Sequence, residues 1–480
     1  SGRVYVLSGA QTNLISNTNR FKPDQFATAV VGLDDLNEDG RADYCGGAPL
    51  WEVDFLTRSS DNTGIVECYN GPPAAATGLA SDEIIEFEGP LETLGTPPLE
   101  KGQVFGSAVA AIRNNEDGGL TDVIVGAPLR DVFKMVDGML VKLQNAGEAF
   151  RLSALDGSVI AEYKGVEVAN RFGAAVANAG DVNGDGLEDV IVGAPDSNTV
   201  AGVKAGRAYV FSGATHLLLN QYEGENAQDA FGSAVASAGD VNGDGRDDLL
   251  VGAPQVDGPA GTNAGRVYVF AGGSAAVTPI LVIDGPQRNE FFGAALARLA
   301  DLDGNGFDDY AVGSPSFDAE GGSDAGKVTV FDGAFGAELF TLVGSAKQDF
   351  FGSALSAARD VDGDGLPELI VGAPGVANIV GWKTGKVLVY SNEPAEGGGL
   401  APKLLLDYAG QANGDAFGAS VAGGGDMDGD GVPDIVVGAY LNVGTAGAST
   451  GQYGRAYAFN VVCRDQDADG YGSPPTPLCD

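Results

Sequence analysis

Short alternating runs of apolar and polar residues follow one another along the whole chain, and helical periodicity is absent. The runs belong to a repeated unit: a Phe-Gly dipeptide, small residues, an acidic loop, an apolar run ending in Gly-Ala-Pro, and a run such as Val-Tyr-Val-Phe. The chain is therefore predicted to be a repeat protein. Its seven copies, of which the first two are the loosest, begin at Phe26, Phe105, Phe172, Phe231, Phe292, Phe351 and Phe417.

Each repeat is predicted to contain four strands. In the third copy these are Gly173 to Ala179, Asp189 to Val192, Arg207 to Ser212 and Leu217 to Tyr222, and the acidic loop joins the first two. A period of roughly 60 to 80 residues is too long for a helical solenoid and suits a four-stranded blade. The pattern thus predicts an all-β fold of four-stranded antiparallel blades.

The acidic loops carry side-chain oxygens at fixed positions. With Asp181 as position one, Asn183, Asp185 and Asp189 occupy positions three, five and nine, and Leu187 offers its carbonyl at position seven. Hard oxygen ligands at this spacing, with a glycine for the sharp turn, fit calcium. The other five predicted ligand sets are Asp35, Asn37, Asp39, Arg41, Asp43; Asp240, Asn242, Asp244, Arg246, Asp248; Asp301, Asp303, Asn305, Phe307, Asp309; Asp360, Asp362, Asp364, Leu366, Glu368; and Asp426, Asp428, Asp430, Val432, Asp434.

A simple hairpin turn is the alternative explanation, because Asp-Gly pairs favour tight turns. A turn accounts for one Asp-Gly pair but not for oxygens kept at four offsets in six loops. We therefore expect six Ca²⁺ sites. The second repeat breaks the offsets with Asn114, Glu116, Gly118 and Asp122, and no metal is expected there.

The repeat closely resembles the FG-GAP repeats of integrin alpha subunits and their bacterial relatives. The resemblance covers about residues 1–462, and six of the seven copies keep the acidic loop. It implies a seven-bladed β-propeller over residues 1–462, followed by a short tail at residues 463–480.

One strand is surplus to seven blades. The third-strand pattern occurs eight times, because Gly2 to Ser8 duplicates what Gly454 to Asn460 supplies. The segment Asn13 to Asn17 aligns with fourth strands and is expected to close the last blade. Residues 1–20 thus hold closing or surplus strands: Gly2 to Ser8 adds to a sheet edge or belongs to a neighbouring module, and an eighth partial blade is the alternative.

Four cysteines lie in two pairs. Cys45 and Cys68 fall in the second and third predicted strands of the first repeat, so they can face each other and form a disulfide, the alternative being two unpaired core thiols. Cys463 and Cys479 flank an acidic tail that resembles the start of a thrombospondin type 3 repeat. The resemblance implies a further calcium site on Asp465, Asp467 and Asp469, whereas the alternative is a polar linker.

Composition narrows the class of partner. The 66 acidic residues outnumber the 27 basic ones, and the net charge of -39 disfavours nucleic acids and anionic membranes. No apolar run is long enough to span a bilayer, and the first residues do not form a signal peptide. Because the sequence starts without Met, we expect a processed or excised piece of a secreted or cell-surface protein, in an oxidising compartment.

The partner surface is expected on the rim opposite the acidic loops, where the connections after each Gly-Ala-Pro vary most. Aromatic residues on these connections are the candidate anchors, although each could instead cover its own blade. The segments Leu50 to Thr63, Leu129 to Ala146 and Leu441 to Tyr453 are the longest. The candidate anchors are Trp51, Phe55, Phe133, Phe317, Trp382 and Tyr453.

Catalysis is not expected. The single histidine, His216, is placed in a predicted fourth strand at a blade edge, next to Leu217, and no nucleophile, zinc or phosphate motif is present. The leading hypothesis is an extracellular adhesion or ligand-recognition module that binds a protein or glycan. The alternatives are a structural unit that assembles with copies of itself by strand addition and, less favoured, a polysaccharide-acting enzyme.

Overall fold

The computed structural model describes most of the repeat region of the chain. None of the described residues forms a helix with the length and apolar character that crossing a bilayer requires. The described residues are 5–7, 25–37, 39–50, 64–70, 83–88, 104–113, 121–136, 139–154, 156–273, 277–320, 322–377, 383–394, 399–410, 414–440 and 455–460.

The regular elements of these residues are β-strands, numbered here in chain order. The strands up to the end of the second repeat are β1 (Tyr5–Leu7), β2 (Ala29–Gly32), β3 (Tyr44–Ala48), β4 (Ile65–Tyr69), β5 (Glu83–Glu88), β6 (Ala108–Arg113), β7 (Thr121–Ala127), β8 (Val132–Val136), β9 (Met139–Leu143), β10 (Glu148–Leu152) and β11 (Val159–Lys164). The third and fourth repeats form β12 (Ala175–Gly180), β13 (Asp189–Ala194), β14 (Arg207–Phe211), β15 (Leu218–Glu223), β16 (Ala234–Gly239), β17 (Asp248–Ala253), β18 (Arg266–Phe270) and β19 (Leu281–Asp284). The remaining strands are β20 (Ala295–Arg298), β21 (Tyr310–Ser314), β22 (Lys327–Phe331), β23 (Glu338–Val343), β24 (Ala354–Ala357), β25 (Leu369–Ala373), β26 (Lys386–Pro394), β27 (Leu400–Ala409), β28 (Ser420–Gly423), β29 (Asp434–Ala439) and β30 (Arg455–Asn460).

The strands pair into four-stranded antiparallel blades. Blade one is β2 to β5; blade two is β6, β7, β10 and β11; blades three to six are β12 to β15, β16 to β19, β20 to β23 and β24 to β27. The first strand of each blade contacts the first strand of the next, and β28 contacts both β24 and β2, so the innermost strands form a ring. The molecule is therefore a β-propeller, as expected.

The last sheet corrects the expectation of seven such blades. The described residues form six antiparallel four-stranded blades, whereas the closing sheet has three antiparallel strands, β28 to β30, and a fourth, β1, which pairs with β30 in parallel. Tyr5 lies opposite Tyr457 and Leu7 opposite Phe459. The surplus strand thus adds to a sheet edge of its own chain. The predicted strand Asn13 to Asn17 lies outside the described residues.

Apolar residues are buried between blades rather than in one central core. Phe26, Tyr44 and Tyr69 of blade one pack with Met427 and Val436 of the closing sheet. The phenylalanines of the Phe-Gly dipeptides are almost fully buried in these layers. Each blade is therefore stabilised mainly by contact with its two neighbours.

Glycines allow the blades to approach closely. Gly232, of a Phe-Gly dipeptide, has a left-handed φ of 84°, and its N–H donates to the carbonyl of Gly252 in its own blade at 2.9 Å. A Cβ added to Gly193 of the neighbouring blade would lie only 2.0 Å from the carbonyl oxygen of Gly232. Similar backbone contacts involve Gly47, Gly126, Gly252, Gly313 and Gly372. The Phe-Gly and Gly-Ala-Pro glycines are thus the two sides of one inter-blade contact.

The predicted pairing of Cys45 with Cys68 is confirmed. The two residues lie opposite each other on β3 and β4, with a Cα–Cα distance of 4.0 Å, and they form a disulfide. Cys463 and Cys479 lie outside the described residues.

The inter-blade contact predicts a contrast between two glycines. Gly193→Ala should lower the free energy of unfolding by about 1–3 kcal/mol, because the new methyl group overlaps a backbone carbonyl. Gly258→Ala is the matched control, because the nearest atom to its added Cβ lies at an ordinary 3.5 Å. Urea denaturation followed by tyrosine fluorescence measures both. Equal stabilities of the two variants would contradict this account.

Candidate metal centres

The six acidic loops between first and second strands share one local structure. Between β12 and β13, Asp181 Oδ1 accepts the N–H groups of Gly184 at 2.7 Å and Asp185 at 3.0 Å, and Oδ2 accepts that of Gly186 at 2.8 Å. The position-one carboxylate thus turns into its own loop. Comparable contacts are made by Asp35, Asp240, Asp301, Asp360 and Asp426.

Three loops bring several carboxylates together. In each, one oxygen from every member lies within 4.8 Å of the others. Like charges at this separation repel one another, and a cation between them removes the repulsion. The groups are Asp360, Asp362, Asp364 and Glu368; Asp301, Asp303 and Asp309; and Asp426, Asp428 and Asp430.

Two of the loops with asparagine at position three are arranged differently. The Asn183 side-chain amide donates to both carboxylate oxygens of Asp189 at 3.1 Å, and the Asn242 amide donates to Asp248 at 3.0 Å. For a cation to bind in these loops, it would have to displace the amide N–H groups from the carboxylate, and the amide oxygen would have to serve as its ligand. In the first loop, Asn37 donates to Asn70 at 2.6 Å.

The position-nine carboxylates are buried at the start of each second strand. Asp189, Asp248, Asp309 and Asp434 are fully buried and Glu368 is nearly so. Burial raises the pKa of Asp189 to about 6, those of Asp248 and Asp309 to about 7, and that of Glu368 to about 8, since it disfavours the ionised form. Burial also raises the pKa of Asp434 well above its usual value.

The surroundings of one buried oxygen, in the acidic loop of the closing sheet, fit a cation. Asp434 Oδ2 accepts the Met427 N–H at 2.7 Å, but Asp434 Oδ1 has no hydrogen-bond partner among the described residues. It belongs to the same loop as the gathered carboxylates of Asp426 and Asp428. A buried carboxylate oxygen without a donor, in an all-oxygen ligand set, fits a hard divalent cation such as Ca²⁺.

In blade two a basic side chain pairs with the buried carboxylate. Asp122, its position-nine residue, is buried and accepts two hydrogen bonds at 2.9 Å, from Nε and Nη2 of Arg151 on β10. Arg151 also donates to the Gly213 carbonyl at 3.0 Å. The equivalent third-strand residues of blades three to six are valines: Val210, Val269, Val330 and Val389. Arg151 therefore gives a physical reason for expecting no metal in blade two, although residues 114–120 of that loop lie outside the described part.

Two of the six aromatic candidates can be placed. Phe133 is half-buried on β8, and Phe317 is half-buried with the Lys327 ammonium 4.5 Å from its ring centre. Neither is a freely exposed anchor, which favours the alternative that these rings cover their own blades. Trp51, Phe55, Trp382 and Tyr453 lie outside the described residues.

A different apolar surface was missed from the sequence. β8 and β9 form a hairpin inserted between β7 and β10, on the rim opposite the acidic loops, and its Met135 and Met139 are 65% and 68% exposed. Asp137-Gly138 between two apolar runs is the signal that could have predicted this hairpin. The same rim carries exposed valines on the β11–β12 and β13–β14 connections, and we call all of these residues the rim patch: Met135, Val136, Met139, Leu140, Val166, Val168, Val200 and Val203.

His216 lies in the turn before β15 rather than in the predicted fourth strand. Its backbone N–H donates to the Ser212 carbonyl at 2.8 Å and its φ is 59°. The half-buried His216 thus lies at the end of the blade that carries the acidic loop, since Gly213 of the same turn donates its N–H to Asp189 at 2.9 Å.

The repeat matches a known family of sequence repeats. Five segments match the FG-GAP repeat: residues 172–211, 231–270, 292–331, 351–390 and 417–457. The chain is a β-propeller that contains FG-GAP repeats. Each matched FG-GAP segment begins at a buried phenylalanine of the inter-blade layers and includes one acidic loop.

Relatives of this propeller include integrin alpha chains. It is 38% identical to integrin alpha-5 of Xenopus laevis over 219 residues, 43% of this chain and 20% of that protein. It is 32% identical to human integrin alpha-IIb over 284 residues, 55% of this chain and 25% of that protein. The alignments thus span a quarter or less of these relatives. The crystal structure of BBS1N in complex with ARL6DN aligns with 86% of this chain at a TM-score of 0.47 and 12% identity.

The raised pKa values predict how metal-free stability depends on pH. The folded-state pKa values of about 6 to 8 exceed those of the unfolded chain, so the stabilising contribution is present in acid and is lost as pH rises through 6 to 8. The Tm of protein dialysed free of divalent metal should therefore fall from pH 5 to pH 8.5.

Calcium should raise the Tm, and by more at pH 8.5 than at pH 5, because protons compete with the cation for the same oxygens. Differential scanning calorimetry with and without 5 mM CaCl₂ measures both effects. This concentration is roughly tenfold above the Kd of a typical weak extracellular calcium site. A metal-free Tm that does not change with pH would contradict the prediction.

The Asp122–Arg151 pair predicts a second contrast. Arg151→Val leaves a buried carboxylate without its cation and should cost about 3–5 kcal/mol. The double variant Arg151→Val/Asp122→Val should recover at least half of this loss, since two apolar residues need no compensation. Urea denaturation with and without calcium should give the same loss in both conditions, because no metal is expected in this blade. A double variant as unstable as the single one would contradict it.

Proposed function

We propose that this chain is an extracellular, calcium-binding module for adhesion or ligand recognition, and that it contacts a protein partner through the rim patch. The observation that carries the proposal is the exposure of eight apolar side chains on the rim away from the acidic loops. Apolar surface of this kind is characteristic of interaction sites. The similarity to integrin alpha chains supports the same role.

Several features support the details. The Cys45–Cys68 disulfide is typical of an oxidising, extracellular compartment. The six loops with their shared local structure support six Ca²⁺ ions, each held by the side chains of positions one, three, five and nine and the carbonyl of position seven. Exposed Lys134 in the hairpin offers a positive charge on a chain of net charge -39, which suits a partner with acidic and apolar groups. A further calcium ion on Asp465, Asp467 and Asp469 stays a prediction.

The rival proposal, a filament unit built by strand addition, has less support. Strand exchange between chains needs a strand that its own chain leaves unpaired. β1 instead pairs with β30 of its own chain over three residues. The rim patch, in contrast, has no covering element among the described residues.

A bead-adhesion assay tests the proposal. Beads coated with the full chain should adhere to a layer of extracellular matrix proteins in calcium. Met135→Asp/Met139→Asp should reduce adhesion at least about tenfold, because placing two charges on the apolar hairpin removes the contact that we propose. Chelation of calcium should also reduce it, since the loops that order the blades lose their cation.

The control is Val277→Asp/Ile280→Asp, which places the same charges on exposed apolar residues at the edge of blade four. This variant should adhere like the wild type. Adhesion of the Met135→Asp/Met139→Asp variant at the wild-type level would contradict the proposal. Self-association of the wild type on calcium addition, measured by sedimentation velocity, would favour the filament alternative.

A further inference from the structure

Acidic loops of neighbouring blades are hydrogen-bonded to each other. Asp247 is at position eight of the blade-four loop, directly before the candidate ligand Asp248. Its N–H donates to the carbonyl of Asp181 at 3.1 Å, and its Oδ2 accepts the N–H of Asp181 at 2.8 Å. Asp181 is the position-one residue of the blade-three loop. Asp247, which is not itself a candidate ligand, therefore hydrogen-bonds to both the N–H and the carbonyl of Asp181, a candidate ligand in the neighbouring blade.

A third blade fixes the orientation of Asp247. Its other oxygen, Oδ1, forms an ion pair with Nη1 of Arg298 at 3.0 Å, and Nη2 of Arg298 binds Asp308 at 2.5 Å. Asp308 is in turn position eight of the blade-five loop. Because each Asp247 oxygen has its own partner, the carboxylate is held in the plane that the bond to Asp181 requires.

The backbone half of this contact recurs once more among the described residues. Ala42, at position eight of the blade-one loop, donates its N–H to the carbonyl of Asp426 in the closing sheet at 2.8 Å. Alanine offers no side-chain acceptor for the second bond. The blade-three residue at this position, Glu188, instead accepts from Arg113 of blade two and from Asn178 of its own blade at 2.7 Å. It thus reaches the blade in which no metal is expected.

We propose that the calcium sites of blades three and four are coupled, and that Asp247 is the positioning residue that couples them. The inference rests on the calcium binding proposed above. A cation on Asp248 orders the chain next to it, so Asp247 holds Asp181 in place before the second cation binds. The second site then binds with less loss of conformational entropy.

Hydrogen–deuterium exchange with mass spectrometry, performed on the full chain across a calcium titration, reports each loop separately. In the wild type, peptides covering residues 181–189 and 360–368 should both become protected as calcium is added. Asp240→Asn/Asp244→Asn removes the charge of two blade-four ligands and so weakens calcium binding at that loop. It should raise the half-point calcium concentration for protection of residues 181–189 by about fivefold or more, the lower range of measured couplings, and leave residues 360–368 unchanged.

The Asp247 variants separate coupling from charge. Asp247→Ala should produce the same fivefold shift for residues 181–189, whereas Asp247→Asn, which keeps an oxygen acceptor, should retain most of the wild-type affinity. Equal shifts in the two variants would assign the effect to lost charge and overturn the proposal. Glu188→Ala is the matched control, and unchanged protection of β17 shows that each variant is folded.

The outcomes distinguish the two proposals. If no loop of the wild type gains protection on calcium addition, calcium binding itself fails. If the loops gain protection but the blade-four variants leave the half-point of residues 181–189 unchanged, calcium binding stands and the coupling is wrong.

Discussion

A buried carboxylate at the start of the second strand is the constraint on which the rest of the structure depends. In blade three, Asp189 Oδ2 accepts the N–H of Val182 at 3.1 Å, and Oδ1 accepts that of Gly213 at 2.9 Å. The first bond fixes the acidic loop and the second fixes the turn between the third and fourth strands. Asp248 and Asp309 make the same pair of contacts. One side chain therefore joins two connections at the same end of its blade, at the cost of a buried charge.

The buried carboxylate has different surroundings in different blades. In blade two it is paired with the guanidinium of Arg151, a cation that the chain itself supplies. The other loops add further carboxylates and asparagines, and three of them bring carboxylate oxygens to within 4.8 Å of one another, a set that could hold a cation from solution. The compensation is confined to one rim, because it involves the loop between first and second strands. The opposite rim is free to carry apolar groups such as those of the β8–β9 hairpin.

The sequence predicted best the elements whose pattern is local. The four strands of the third repeat agree with the structure to within two residues, because alternation and the acidic glycine loop bound them on both sides. The Cys45–Cys68 disulfide followed from the same strand register. The parallel pairing of β1 with β30 could not be predicted, since a strand pattern carries no information about the direction of a partner 450 residues away.

Arg151 was missed for a related reason. In the sequence it is a single substitution in an apolar strand pattern, and only the fold places it against Asp122 and Gly213. The rim patch is similar: its valines lie on separate connections that the propeller brings to one rim. Asp137-Gly138, by contrast, was a local signal for the hairpin and could have been used.

The contact made by Asp247 joins two loops that each have three carboxylates rather than four. The loops of blades three and four each have asparagine at position three, and in both the side-chain amide donates a hydrogen bond to the buried carboxylate. Because calcium affinity rises with the number of charged ligands, we expect these loops to bind calcium more weakly on their own than the loop of Asp360, Asp362, Asp364 and Glu368. The other backbone contact, from Ala42 to Asp426, joins an asparagine-containing loop to a loop with four carboxylates. In blades three and four, a contact that orders one loop through the other therefore offsets part of the missing charge.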